Sequence, residues 1–355
     1  MSEEALKLTV YFGERDRANG RFLADALTDI YARQELQTSL LMRGVQGFGL
    51  KHHLRTDRQL TLSEDLPLVS VAVDARPRIE AALAEVDELR FDGLVTLERA
   101  RILTGGLEAV RREDLSEEVK LTVYLGRHDR IDGRVAYEAV IGLLHEHGVA
   151  GATALLGVDG TAHGVRRRAG FFSSNAQVPV MVISVGDGER IAELLPELEA
   201  RLARPLITLE RVRVCKRDGR LLAEPQELQA SDAAGLGVWQ KLTVFSGEQS
   251  HVEGQPLHHR LISDLRRAGA SGATSLRGVW GYHGGHPPHG DSFWQLRRRV
   301  PIVTVVVDTP ESARRWFKLI DELTTSAGLV TSEVVPAFRA TGPGLLRGGL
   351  QLAEP

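Results

Sequence analysis

Hydrophobic positions along this chain switch between two periods, and the switching recurs. Residues 7–11, "KLTVY", are β-rich and run into a Gly-containing turn. Phe22, Leu23, Ala26, Leu27, Ile30 and Tyr31 then fall at helical spacing. "SLLMRGV" (39–45) reads as a second strand and leads into a loop bearing Gly, His and Arg. "LPLVSVAVD" (66–74) reads as a third strand, with Pro67 at its mouth. Ile79, Leu83 and Val86 keep helical register within 76–89, and "LVTLERARIL" (94–103) closes the unit. The order β-α-β-β-α-β predicts an α+β fold of the split βαβ or ferredoxin-like kind.

The whole pattern is written three times. The unit opens as "KLTVYFGERDRANGR" at Lys7, "KLTVYLGRHDRIDGR" at Lys120 and "KLTVFSGEQSHVEGQ" at Lys241. Gly44, Gly157 and Gly278 keep one spacing to these openings, so the first half of the unit carries no gaps. Units this long exceed solenoid repeats, and each can fold as a domain. The expected organisation is 1–103, 119–215 and 240–339, with polar linkers at 104–118 and 216–239. The Gly-rich tail, 340–355, is expected to be flexible. In the third unit Thr309 is the expected N-cap of the second helix, with Pro310 in its first turn and Glu311 beside it.

The third strands are apolar on both faces. Val300, Ile302 and Val306 alternate with Val303, Val305 and Val307. Such strands predict a sheet buried on both sides. The sister units can supply the second cover, packed sheet-inward around a pseudo-threefold axis. Glu98, Glu210 and Glu333 align across the copies, which points to a shared contact such as an ion pair between units.

Composition narrows the function classes. The 355 residues are 43% hydrophobic and 26% charged with a net charge of −3, so no nucleic-acid partner is expected. Cys215 is the one cysteine, which excludes an intrachain disulfide or a multi-cysteine metal site. No apolar run approaches eighteen residues and the start is acidic, so a soluble, cytoplasmic protein is expected.

Candidate chemistry gathers in the three loops after the second strands. Gly47, Gly49, Gly160, Gly164, Gly281 and Gly284 could free backbone amides for an anion, and Lys51, Arg166, Arg167 and Arg168 could meet phosphates. The same glycines could equally shape turns, with the arginines in water. Six of twelve histidines lie there: His52, His53, His163, His283, His286 and His289. "HGGHPPHGD" could offer His283, His286 and His289 to a metal, although a Gly/Pro loop does not fix ligand geometry. His258 and His259, on the first helix of the third unit, read as surface residues. Glu14, Asp16 and Asp129 could be paired acids but fit turns and caps better. "GERDRANG" lacks the GK[ST] of a P-loop, no G-x-S-x-G occurs, and Cys215 has no local His partner. An enzyme is the least favoured reading.

"GATSLRGVWGYHGG" (272–285), "LPLVSVAVD" and "GLVTLERARI" resemble the motifs of domain-of-unknown-function family 190, a P-II-like family. "GVQGFG" (44–49) is similar to the "GFG" at the base of the long loop in P-II nitrogen regulators. The resemblance covers 6–103, 119–215 and 240–339. P-II proteins are trimers of single domains with adenine nucleotide and effector in clefts between subunits. The resemblance therefore implies a P-II-like trimer fused into one monomeric chain. It implies a regulatory protein that senses a small ligand of the adenine-nucleotide class. Its partner would be a membrane channel or another regulated protein, reached through the long loops. Gly47, Phe48, Gly49, Lys51, Gly160, Gly164, Arg166, Arg167, Gly281 and Gly284 would face the ligand. Thr153 and Thr274, in "GAT", resemble a threonine that contacts nucleotide, whereas the first copy reads "TSL" at 38–40. "FDGLVT" (91–96) resembles the glycine loop that grips phosphate. The other copies read "ARPLIT" and "SAGLVT", without the Asp-Gly pair, and that departs from the family pattern. A metal-binding or ligandless scaffold built on the same fused trimer is the alternative.

Overall fold

The computed structural model of the protein describes residues 2–50, 53–56, 65–162, 164–168, 178–283, 288–290, 300–325 and 328–354. In the first repeat β1 (Ser2–Gly13) is followed by α1 (Leu23–Arg33), β2 (Thr38–Phe48), β3 (Pro67–Ala75), α2 (Arg76–Glu88) and β4 (Gly93–Leu103). The strands are antiparallel in the order β2-β3-β1-β4. The second repeat runs β5 (Glu118–Gly126), α3 (Ala136–Glu146), β6 (Gly151–Leu156), β7 (Asp159–Ala162), β8 (Val165–Arg168), β9 (Pro179–Asp187), α4 (Gly188–Arg201), β10 (Ile207–Arg211) and β11 (Arg213–Arg217). The third runs β12 (Trp239–Gly247), α5 (Leu257–Ala268), β13 (Ala273–Arg277), β14 (Trp280–His283), β15 (Pro301–Asp308), α6 (Pro310–Leu323) and β16 (Leu329–Val335). Each has the same central order: β5 lies between β9 and β10, and β12 between β15 and β16.

Local chemistry explains the recurrent pieces. "NG", "DG" and "EG" in the three openings are hairpin turns with both residues at positive φ: Asn19/Gly20, Asp132/Gly133 and Glu253/Gly254. Asp16 and Asp129 accept from the backbone N–H of Gly13 and Gly126, so these carboxylates hold turns. Thr309 caps α6 by accepting from Ser312 N–H at 3.3 Å, with Pro310 at the helix start.

Strand alternation sorts β1 onto two faces. Leu6, Leu8 and Val10 pack under Leu27, Ile30, Ile79 and Leu83 of α1 and α2. The other face carries Lys7, Thr9 and Tyr11. It joins a second core in which Met42 and Val71 of the first repeat meet Leu155 and Met181 of the second and Leu276 and Val303 of the third. Ile302 and Val303, neighbours on opposite faces of β15, are 0% and 2% exposed. The sheets are therefore buried on both sides.

The repeats also share backbone hydrogen bonds. The end of β4 pairs with β10, β11 pairs with β16, and β17 (Ala337–Gly342) returns to pair with β4. The tail departs from expectation. β17 and β18 (Leu345–Gly348) form a hairpin, and Leu228, Val238 and Ala353 pack together beyond it. A Gly-rich stretch gains order here because the edge of β4 supplies its missing partners.

Candidate functional site

The aligned lysines and glutamates meet in a closed ring. Lys7 contacts Glu98 at 3.1 Å and also Glu210; Lys120 contacts Glu210 at 2.9 Å and also Glu333; Lys241 contacts Glu333 at 3.1 Å and also Glu98. All six are buried. Register places them: Lys7 lies opposite Glu98, Lys120 opposite Glu210 and Lys241 opposite Glu333, so each pair shares a sheet face. Burial would push Glu98 and Glu210 up, yet the ammoniums around them hold both below the usual carboxylate range. Burial would push Lys7 and Lys241 down, yet the facing carboxylates hold both well up. Among the described residues Glu98, Glu210 and Glu333 are the group of His, Cys, Asp and Glu donors close enough together to share an ion. Three ammoniums already balance their charge, so a cation there would be repelled.

Equivalent strand segments cross between repeats. Gly47 lies opposite Thr274, Gly281 opposite Thr153, and Gly160 opposite Leu40. A Cβ on Gly47 would come within 2.7 Å of Ala273 O, on Gly160 within 2.0 Å of Ser39 O, and on Gly281 within 2.3 Å of Ala152 O. These three glycines let one repeat's backbone approach the next.

The crossing of β2 with β13 opens a cleft between the first and third repeats. It holds about 800 Å³ including its open mouth. Phe48, Gly49, Asp92 and Gly93 come from the first repeat, and Thr274 and Trp239 from the third. The "GFG", "FDG" and "GAT" segments are thus brought together. The homologous cleft of the second and third repeats, lined by Thr153, Tyr282 and His283, holds about 310 Å³.

The other candidates lie as follows. Gly164 sits at positive φ between β7 and β8, and Arg166, Arg167 and Arg168 lie on β8. His283 is buried at the end of β14, and His289 lies on the short strand His289–Gly290 that pairs with it. Lys51, His52, His163, Gly284 and His286 lie outside the described residues. His258 is not on the surface. It is 2% exposed and packs at a tilt against His259, whose Nδ1 meets Gln46 of the first repeat, because α5 packs against β2. Cys215 is buried, and burial pushes its thiol up to about 12, unlike an activated nucleophile.

Several lining residues carry no motif in the sequence. Trp239 precedes the third "KLTVF", and Arg55 lies in the loop after "GFG", clamped by Asp65 at 2.9 Å and Asp16 at 3.6 Å. Ala340 and Thr341 come from the tail hairpin. A repeat comparison marks Trp239 only as an aromatic before a strand, and it gives no sign of the tail residues.

Comparison with known proteins bears on all three repeats. No described helix is long and apolar enough to cross a membrane. The profile of domain-of-unknown-function family 190, described as "Uncharacterized ACR", matches residues 5–102, 118–214 and 239–337. A UPF0166 protein of Aquifex aeolicus is 30% identical over 94 residues, 26% of this chain and 88% of that protein. A UPF0166 protein of Methanocaldococcus jannaschii is 34% identical over 80 residues, 22% of this chain and 72% of that protein. Each relative is therefore about as long as one repeat. This chain belongs to domain-of-unknown-function family 190 and carries its domain three times.

Proposed function

We propose that this chain is a P-II-like regulatory protein, built as three ferredoxin-like domains fused into an intramolecular trimer. It takes a small ligand of the adenine-nucleotide class in a cleft between domains. It relays occupancy to a partner, a channel or another regulated protein, through the segments that follow its second strands. The observation that carries this reading is the cleft between the first and third repeats. There three sequence segments with P-II resemblance line one cavity of a size suited to small ligands. The fused-trimer reading is supported by the ring, to which each repeat contributes one lysine and one glutamate. It is supported too by relatives about one repeat long. Fusion removes the association cost of a trimer and lets its clefts diverge.

A thermal-shift screen of adenine nucleotides, nucleosides, metal ions and inorganic anions tests the reading. A ligand at a hundredfold its Kd adds about 2.7 kcal/mol of stability. A shift with a metal ion and none with any nucleotide or nucleoside would replace ligand sensing with a metal-binding scaffold.

A further inference from the structure

Two homologous clefts differ in size, and two of their lining positions differ. Phe48 and Gly49 of the first repeat correspond to Tyr282 and His283 of the third, both following the glycine that crosses to the neighbouring repeat. At Gly49 a Cβ would meet nothing within 4 Å, so the glycine leaves open space. At the corresponding place His283 is a buried imidazole. Tyr282 is fixed as well: its hydroxyl donates to Val149 O at 2.8 Å and its ring meets His145 edge-on at 4.9 Å. The third cleft diverges otherwise. Leu40 stands where the other two have threonine, and the buried Thr161 hydroxyl is bonded to Ser39 Oγ at 3.0 Å.

The open cleft also has a distinct chemistry. Tyr11, Phe48 and Trp239 give it aromatic surface, and Leu94 and Val305 add aliphatic surface. Its described charged groups are Asp16, Asp92 and Arg55, beside the exposed His53. Arg55 is already engaged by Asp65 and Asp16. Among the described lining residues two carboxylates stand against one committed guanidinium, which disfavours a polyphosphate, while the aromatic surfaces suit a planar ring.

We propose that, among the described residues, the cleft between the first and third repeats is the open ligand site of the three clefts between repeats. It takes an uncharged planar heteroaromatic molecule of the nucleoside type in preference to a nucleoside polyphosphate, and Tyr282 and His283 fill the homologous cleft. This rests on reading the clefts between repeats as ligand sites.

The test is calorimetric titration of adenosine and of ATP into the full chain. Adenosine should bind at one equivalent, at least tenfold more tightly than ATP. The Phe48→Tyr/Gly49→His variant, which copies the filled cleft, should lose at least tenfold in adenosine affinity. The Tyr282→Phe/His283→Gly variant should gain a second equivalent. Asp92→Asn, an unobtrusive change should the bulkier variants misfold, should narrow the adenosine-to-ATP gap at least threefold. Two or three equivalents in the unmodified chain, ATP tighter than adenosine, or an unchanged gap in Asp92→Asn would overturn this inference and leave ligand sensing standing. Absence of binding by both compounds up to millimolar concentration would overturn both.

Discussion

The ammonium of Lys7 donates to the carboxylate of Glu210, 203 residues further along the chain. One repeat on, Lys120 donates to Glu333, and Lys241 closes the circle on Glu98. Each ion has two opposite neighbours drawn from two repeats. Such a ring adds little net stability, because desolvating six charges offsets their attraction, but it accepts only one mutual register of the repeats.

Breaking the ring on one side should therefore cost more than removing a pair. Glu98→Gln leaves Lys7 and Lys241 one buried positive charge in excess and should cost about 3 kcal/mol or more. Lys7→Met/Glu98→Leu removes a neutral pair and should cost much less. Urea melts of the two variants decide it, and equal losses would mean that the charges are not coupled.

The ring sets a pH window. Glu98 and Glu210 titrate below their ordinary value of 4.5, so their contribution is complete above about pH 4.5 and is lost as pH falls through the lower folded values. Lys7 and Lys241 titrate above 10.5, so theirs is complete below that and is lost as pH rises further. The contribution of these four groups should be flat between these limits, whereas burial holds Lys120 below its ordinary value of 10.5, so its charged form costs stability that is regained as pH rises through the lowered folded value. Lys7→Met/Glu98→Leu should fall less steeply in acid than the unmodified chain, as read from melts at pH 3 to 7.

Both faces of β15 should refuse a charge. Ile302→Asp and Val303→Asp each place a carboxylate in a buried setting and should each lose about 3 kcal/mol or more. A near-neutral result for either variant would mean that its face meets water.

Two glycines should fail for different reasons. In Gly281→Ala the new Cβ meets Ala152 O at 2.3 Å, which forces two repeats apart and should cost about 2 kcal/mol or more. Gly20, at φ +80 with nothing within 4 Å, should lose only about 1 kcal/mol on Gly20→Ala, from backbone strain. Chemical denaturation of both variants gives the comparison.

The chain should be a monomer. Its three repeats contribute every lysine and glutamate that the ring uses, so light scattering should return about the 38.9 kDa of one chain. A mass near three chains would refute the fused trimer.

The sequence by itself determined the three copies, the α+β element order, the two-sided burial of the third strands and the equivalence of Glu98, Glu210 and Glu333. Those features are local or periodic, and a repeated strand such as "KLTVY" writes its inward and outward residues into its spacing. Tertiary structure alone decided what the equivalent residues touch. No spacing tells that Lys7 will meet Glu210, because that contact depends on how one sheet sits beside another. The same holds for Gly47 and Gly281, whose missing side chains answer to a neighbouring backbone rather than to a turn. His258 was legible as helical but not as buried, since its cover comes from the docking of α5 on another repeat. The order of the tail is not legible in its composition, because hydrogen bonding to the edge of β4, a non-local gain, orders a stretch whose own composition favours disorder. The size of the cleft follows for the same reason: Phe48, Trp239 and Thr341 are far apart in the chain and become one wall only when the third repeat closes against the first.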